Sequence, residues 1–179
     1  MFTTKDLAYM AMMTTLIIIL GFIPPIPLGF IPVPIVLQNM GIMLAALLLG
    51  SKKGSVSVLL FLLIGFFVPV FSGKATTLPV FMGPTAGYVF AWLLVPFLFA
   101  LLFKLLKKQS KIIIFVLIWL VGVLLVDVFG AVWLSIHTGM PIRAALVSNL
   151  AFIPGDTIKA ALATLIALKL RESYINIRY

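Results

Sequence analysis

The chain has 179 residues, of which 64% are hydrophobic and 9% are charged. A soluble domain of this size does not bury so much apolar surface, so the composition predicts an integral protein that crosses a membrane several times. The formal net charge is +9, but the basic residues separate apolar runs instead of forming a patch, which favours a role in membrane orientation over nucleic-acid binding. The chain contains no cysteine, which excludes disulfides, thiol nucleophiles and thiolate metal sites.

Six apolar segments are each about long enough to cross a hydrocarbon core of roughly 30 Å. They predict an all-α membrane protein with a single transmembrane domain over residues 1–179. The first segment runs into a proline-rich loop and has no small-residue cleavage site, so it is interpreted as a span and not as a removable signal peptide. The predicted spans cover residues 7–23, 35–49, 54–70, 85–106, 112–136 and 155–170.

The connecting segments are rich in residues that interrupt helices. Five prolines between residues 24 and 34 exclude a continuous helix there. The loops at residues 51–54 and 107–111 are basic, and residues 72–77 form a polar turn. Residues 138–154 are amphipathic enough to predict a short interfacial helix.

The distribution of lysine and arginine predicts the orientation of the chain. Six crossings place both termini on one side, and that side then carries ten of the thirteen basic residues. Because loops rich in Lys and Arg stay in the cytoplasm, both termini are predicted to be cytoplasmic. Lys74 and Arg143 fall on the outer side, and Lys159 falls within the last span. The ten cytoplasmic residues are Lys5, Lys52, Lys53, Lys104, Lys107, Lys108, Lys111, Lys169, Arg171 and Arg178.

Asp156 and Lys159 stand at the outer start of the sixth predicted span, in an otherwise apolar stretch. Ionisable groups inside a bilayer are costly, which makes such a pair a candidate functional site. Residues three apart are neighbours on a helix face and lie about 4.5 Å apart along its axis. A carboxylate and an ammonium at this spacing suit a compact ligand group that offers both N–H donors and a carbonyl. The alternative is that Asp156 caps the helix and Lys159 pairs with it.

Three further elements carry polar groups or glycines near the same outer side. Residues 83–88, Gly-Pro-Thr-Ala-Gly-Tyr, open the fourth span with two glycines and two hydroxyls. The proline loop leads to Gln38 and Asn39, one of which is expected to face a partner or a ligand, and the loop itself is a connector or a lid. Asp127 lies deep in the fifth span, where structural pairing or a neutral acid is favoured over substrate contact.

These elements together resemble the BioY family, the biotin-specific substrate-binding subunits (S components) of energy-coupling-factor (ECF) vitamin transporters. The resemblance rests on residues 31–34 (Ile-Pro-Val-Pro) with Gln38, on residues 83–88, and on residues 154–159 (Pro-Gly-Asp-Thr-Ile-Lys), which occur in the family's order. It implies a six-helix fold with cytoplasmic termini and one biotin bound near the outer face. Asp156 and Lys159 would then contact the ureido ring. The implied pocket residues are Gly83, Thr85, Gly87 and Tyr88, with Gln38 as a further candidate.

The sequence departs from the family in the turn at residues 72–77, which lacks the usual glycines and an asparagine that often reaches the ligand. Lys74 and Arg143 are both candidates for the biotin carboxylate, and the sequence does not choose between them. Ala86 also stands where glycine is common in the family.

The resemblance further implies that the chain docks on a transmembrane coupling subunit through small residues of its first helix, here Ala8, Ala11 and Thr15. ATP would be used by partner ATPases, since the chain has no phosphate-binding loop with its lysine. It would therefore be no enzyme and need no cofactor. The alternatives are an S component for another small vitamin or a membrane transporter that works alone. One His, no Cys and four acidic residues argue against an intramembrane hydrolase.

Overall fold

A computed structural model describes residues 2–106 and 110–173. The all-helical prediction is confirmed for this part of the chain. Lys107, Lys108 and Arg178, which contribute to the predicted charge asymmetry, lie outside the described residues. The helices are α1 Thr4–Gly21, α2 Gln38–Ile64, α3 Thr77–Met82, α4 Ala86–Leu105, α5 Lys111–Trp119, a π-helical segment Leu120–Leu124, α6 Leu125–Thr138, α7 Ile142–Asn149 and α8 Ile153–Ser173.

Helix α1 begins earlier than predicted because a capping box sets its start. The Thr3 hydroxyl accepts from the Asp6 N–H at 3.2 Å, and the Asp6 carboxylate accepts from the Thr3 N–H at 3.0 Å. The carboxylate of Asp6 also lies 2.5 Å from Lys53 Nζ. This ion pair ties the start of α1 to the middle of α2.

Helix α2 contains both the second and the third predicted span. Its backbone is non-helical at Gly50, where φ is 70° and ψ is −159°. A Cβ built on Gly54 would lie 2.8 Å from the Ala45 carbonyl oxygen, whereas residues nine apart in one continuous helix are about 13.5 Å apart. The chain therefore reverses at Gly50, and α2 is a hairpin of two antiparallel halves.

Two predicted boundaries in this region are wrong. The loop predicted at residues 51–54 is helical, because the single glycine makes the reversal by itself. The third predicted span was drawn to residue 70, but the helix ends at Ile64. Residues 66–75 instead form turns closed by a backbone bridge between Phe71 and Ala75. Helix α3, which contains Pro79, was not predicted.

The other predicted spans agree with the structure to within about three residues. The fifth corresponds to α5, the π-helical segment and α6, which are continuous. The predicted interfacial helix corresponds to α7, which is bent by 49° from the helix that follows it.

Four helices of the described chain are long and apolar enough to cross a membrane, or up to five if the bent α7–α8 pair is one span. The four are α1, α2, α4 and the continuous helix Lys111–Thr138. This criterion counts α2 once, so the predicted number of six requires that each half of the hairpin and the α7–α8 pair cross the bilayer.

Two side-chain contacts place the start of α1, the Gly50 turn and the end of α8 together. Lys53 binds Asp6, and Arg171 Nη2 donates to the Leu47 carbonyl oxygen at 2.5 Å. The starts of α2 and α8 lie together at the opposite end, because Asn39 on α2 contacts Asp156 on α8. A cavity lies between these two helix starts.

Candidate ligand-binding cavity

A cavity with about 660 Å³ of empty space, its open mouth included, lies between the start of α2, the N-terminal half of α4, α6 and the start of α8. Its polar and aromatic lining residues are Gln38, Asn39, Phe71, Ser72, Thr85, Tyr88, Trp92, Asp127, Phe152, Asp156 and Lys159, and residues 33–36 of the proline loop close one side.

The predicted Asp156–Lys159 pair lies in this cavity and is buried, with exposed fractions of 5% and 7%. Lys159 Nζ lies 2.6 Å from Asp156 Oδ1 and also donates to the Val36 carbonyl oxygen at 2.6 Å. Asn39 Nδ2 donates to Asp156 Oδ2 at 2.9 Å. An ammonium has three N–H groups, so one remains for a ligand, and each carboxylate oxygen can accept a further bond.

The interpretation of Asp156 as a helix cap is wrong. Helix α8 already begins at Ile153, and the Asp156 N–H donates to the carbonyl of Phe152, the residue before the helix. The Asp156 carboxylate instead binds Lys159 and Asn39, which belong to the cavity wall. The pair is therefore oriented by tertiary contacts from α2 and the proline loop.

Four cavity-lining residues carry buried polar atoms that have no hydrogen-bond partner among the described residues. They are two acceptors, Asn39 Oδ1 and Asp127 Oδ2, the donor Trp92 Nε1, and the Ser72 hydroxyl, which can do either. Buried polar groups are normally hydrogen-bonded, and each unpaired one is costly. Their concentration around one cavity indicates a ligand that offers both donors and acceptors.

Gln38 lines the cavity, but the structure uses its amide for other contacts. Gln38 Nε2 donates to the carbonyl oxygens of Ile17 at 3.2 Å and Val70 at 2.8 Å, and its Oε1 accepts from the Ser72 N–H at 3.3 Å. The side chain thus joins α1, α2 and the turn after α2. Its neighbour Asn39 has the free oxygen.

Tyr88 contributes its ring to the cavity, while its hydroxyl donates to Asn149 Oδ1. Asn149 Nδ2 in turn donates to the backbone carbonyl of Asp127 at 3.5 Å. The ring of Phe152 packs edge-on against Tyr88, with centroids 5.9 Å apart. Asn149, at the end of α7, therefore connects α4 to α6 beside the cavity.

Of the predicted glycine-rich element, Thr85 and Tyr88 line the cavity, but Gly83 and Gly87 do not. The Gly83 carbonyl accepts from Trp133 Nε1 at 2.9 Å. A Cβ at Gly87 would lie 2.7 Å from the Phe129 carbonyl oxygen. Gly83 follows α3 and Gly87 lies in the first turn of α4, and both contact α6. The missing side chain of Gly87 allows α4 and α6 to approach closely.

Lys74 and Arg143 are exposed and do not line the cavity. Lys74 has a φ of 61° and lies in the turn two residues after Ser72. Arg143 lies on α7. The described side chains therefore place neither cation in contact with the cavity wall.

Sequence reasoning missed Ser72, Trp92 and Asn149 as residues of the site. Trp92 follows Tyr88 by four residues and so lies on the same face of α4. This helical spacing could have placed Trp92 in the site together with Tyr88. Nothing in the local sequence marks Ser72 or Asn149, because their roles depend on contacts with residues far away in the chain.

Comparison with known proteins supports the similarity suggested by the motifs. The BioY family profile matches residues 1–176. The chain is 49% identical to the biotin transporter BioY of Lactococcus lactis subsp. cremoris (strain MG1363) over 172 residues, which cover 94% of this chain and 91% of the relative. It is 35% identical to the biotin transporter BioY of Rhizobium etli (strain ATCC 51251), with 96% of each chain covered.

A crystal structure of the S-component for biotin from an ECF-type ABC transporter superposes with a TM-score of 0.92. That protein is 47% identical in sequence, and the match covers 97% of this chain and 96% of the other. The agreement in sequence and fold extends over nearly the whole chain. The protein belongs to the BioY family.

Proposed function

We propose that this chain is the biotin-binding S component of an ECF-type uptake transporter in a bacterial cell membrane. The observation that carries the proposal is the buried Asp156–Lys159 pair, which lines a cavity and keeps unused hydrogen-bonding capacity toward it. The family relationship and the biotin-specific relatives support the choice of ligand. In this role the chain captures biotin and catalyses no reaction.

Biotin matches the cavity chemically. It combines a cyclic urea, an apolar sulfur-containing ring and an aliphatic acid. The third N–H of Lys159 donates to the urea carbonyl, and Asp156 accepts one urea N–H. Both groups contact the same ring because they lie only one helical turn apart. Apolar residues such as Val33, Val80 and Val89 surround the sulfur ring and the aliphatic chain.

The partner of the biotin carboxylate is a separate part of the proposal. Ser72 and Trp92 bring unpaired donors to the cavity wall, and Lys74 and Arg143 are the cations near this outer side. Lys74 is the nearer candidate in sequence, since its turn carries the cavity-lining Ser72. We place the carboxylate toward this turn.

Each half of the α2 hairpin crosses the bilayer in the proposed topology, which therefore has six spans and cytoplasmic termini. The contacts of Asp6 with Lys53 and of Arg171 with Leu47 support this arrangement, since they join residues from both ends of the chain at one end of the molecule. That end also carries much of the predicted cytoplasmic positive charge.

The topology predicts a labelling pattern that the cysteine-free chain makes easy to measure. Single variants Lys5→Cys and Lys169→Cys in intact cells will be protected from a membrane-impermeant thiol reagent and will react after permeabilisation. Lys74→Cys will react in intact cells. Five crossings instead of six would place residues 5 and 169 on opposite sides, so opposite labelling of these two variants would contradict the proposal.

Helix α1 supplies the proposed docking surface for the transmembrane coupling subunit. Ala8, Ala11 and Thr15 are exposed and lie on one side of α1, while Met10, Met13, Thr14 and Ile17 are buried against the rest of the protein. Small residues at this spacing let helices approach closely in a membrane. Paired ATPases bound to the coupling subunit use the ATP, and this chain needs no cofactor of its own.

Competition binding tests the ligand assignment against the alternatives. Radiolabelled biotin bound to the detergent-purified chain will be displaced by unlabelled biotin, and a large excess of other water-soluble vitamins will leave it bound. Displacement by another vitamin at lower concentration than biotin would favour an S component of that specificity. Biotin accumulation in cells that lack ECF coupling and ATPase subunits would favour a transporter that works alone.

A further inference from the structure

Asp127 is a buried carboxyl group that none of the functions assigned above uses. Its exposed fraction is 6%, it lies on the cavity wall, and its Oδ2 has no hydrogen-bond partner within residues 2–106 and 110–173. The lysine of the cavity, Lys159, binds Asp156 and the Val36 carbonyl instead. A buried acceptor without a donor is costly, so its position on a ligand cavity requires an explanation.

The backbone around Asp127 is adjusted locally to direct this side chain. The π-helical segment Leu120–Leu124 ends shortly before Asp127, and the Leu125 N–H donates to the Leu120 carbonyl, five residues back. Such a segment inserts an extra residue into a turn, and π-bulges occur frequently at functional sites. One residue corresponds to about 100° of rotation around an α-helix, so an uninterrupted helix would turn Asp127 away from its present direction. Asn149 additionally donates to the Asp127 carbonyl.

The geometry of a cyclic urea requires acceptors on two sides of the ligand. Its two N–H bonds diverge, because the ring closes on the side opposite the carbonyl, and one carboxylate cannot accept both. Asp156 accepts one of them in the proposed function, on which this inference rests. Apart from the Ser72 hydroxyl, which the proposed function places toward the carboxylate end of the ligand, the unpaired buried acceptors on the described cavity wall are Asn39 Oδ1 and Asp127 Oδ2.

These two acceptors differ in where they stand relative to Asp156. The Asn39 amide is bonded to the Asp156 carboxylate, so its oxygen belongs to the same wall. Asp127 instead belongs to α6, a helix that carries neither Asn39 nor Asp156. We propose that Asp127 Oδ2 accepts the second ring N–H of the ligand, so that the site selects ligands with two N–H donors flanking a carbonyl.

Two substitutions test whether Asp127 acts as an acceptor. Asp127→Leu removes the acceptor, and Asp127→Asn keeps a carbonyl oxygen in nearly the same volume. Removing the acceptor leaves a buried N–H of the ligand unpaired, which corresponds to about 10- to 100-fold in affinity. We expect Asp127→Leu to weaken biotin binding by that factor and Asp127→Asn by about fivefold or less. Binding by Asp127→Leu as tight as by the unmodified chain would overturn the proposal.

Ligand analogues separate direct contact from an indirect structural effect. Two cyclic-carbamate analogues of biotin each replace one ring N–H by oxygen. We expect both to bind the unmodified chain more weakly than biotin, whereas Asp127→Leu or Asp127→Asn will show little further loss for one of the two. The proposal fails if, for both analogues and both variants, the loss of affinity caused by the substitution multiplies with the loss caused by the analogue. Asp127 would then not accept a ring N–H.

The same titrations distinguish this inference from the proposed function. Absence of biotin binding by the folded, unmodified chain rejects the biotin assignment itself. Tight binding by that chain together with unchanged affinity of Asp127→Leu rejects only the role of Asp127. Equal melting temperatures and a single symmetrical elution peak for the variants exclude misfolding as the cause of a loss.

Discussion

The variant Lys159→Met will lose biotin binding and a large part of its stability. Removal of the ammonium leaves the Asp156 carboxylate buried without its cation and leaves the Val36 carbonyl without its donor. Breaking one partner of a buried ion pair typically costs about 3–5 kcal/mol in the free energy of unfolding. The melting temperature in detergent and a calorimetric titration with biotin measure the two effects separately.

The double variant Asp156→Asn, Lys159→Met provides the matched control. It removes both charges, so no uncompensated carboxylate remains, and most of the lost stability will return. Biotin binding will not return, because the donor and the charged acceptor for the urea are both absent. A single variant that binds biotin with unchanged affinity, or a double variant that recovers binding, would show that the pair serves structure only.

The variant Gly50→Ala will destabilise the fold through the backbone of the α2 hairpin. Gly50 has a φ of 70° and a ψ of −159°, a conformation that residues with a Cβ rarely adopt. Forcing such a residue into it costs of order 1–3 kcal/mol. Because Gly50 reverses the chain between the two halves of α2, we expect a lower melting temperature. We also expect the half of α2 that carries Asn39 to be positioned less firmly at the cavity.

Gly155→Ala is the control for this substitution. A Cβ at Gly155 meets no atom within 4 Å, and the residue lies within α8. Alanine in a helix is favoured over glycine by roughly 0.5–1 kcal/mol, so stability will stay equal or rise slightly. Equal melting temperatures for Gly50→Ala and the unmodified chain would contradict the inferred strain at the hairpin.

The helical spans were predictable because hydropathy reports directly on burial in lipid. Residues 86–105 and 111–138 illustrate this, since long apolar runs there coincide with helices. The sequence predicted the reversal in the basic loop after Gly50, because Lys52 and Lys53 interrupt the apolar run. Hydropathy does not reveal which glycine has a positive φ. Positive φ at one glycine is a property of the folded backbone.

The candidate site was predictable only where the local sequence has a strong chemical contrast. Asp156 and Lys159 stand out as charges in an apolar segment, and the structure places both on the cavity wall. One of Gln38 and Asn39 was expected to face a partner or a ligand. In the structure it is Asn39 whose side-chain oxygen, Oδ1, has no hydrogen-bond partner among the described residues. The choice between them depends on contacts with Ile17, Val70 and Asp156, which no local pattern encodes.

Asp127 shows the same limit. The sequence favoured a structural partner or a neutral acid over substrate contact for this residue. Its Oδ2 has no partner in the described part of the chain, which argues against structural pairing of that oxygen, and the neutral acid stays a prediction. The π-helical segment that precedes Asp127 cannot be read from periodicity, because an apolar run such as Leu120–Leu124 is compatible with either helix type.

A calorimetric titration of biotin into the purified, unmodified chain tests the central proposal most directly. We expect one binding site per chain and a saturable signal, accompanied by a change in tryptophan fluorescence because Trp92 lines the cavity. A correctly folded, monodisperse preparation that shows neither heat nor a fluorescence change at millimolar biotin would contradict the assignment of this chain as a biotin-binding subunit.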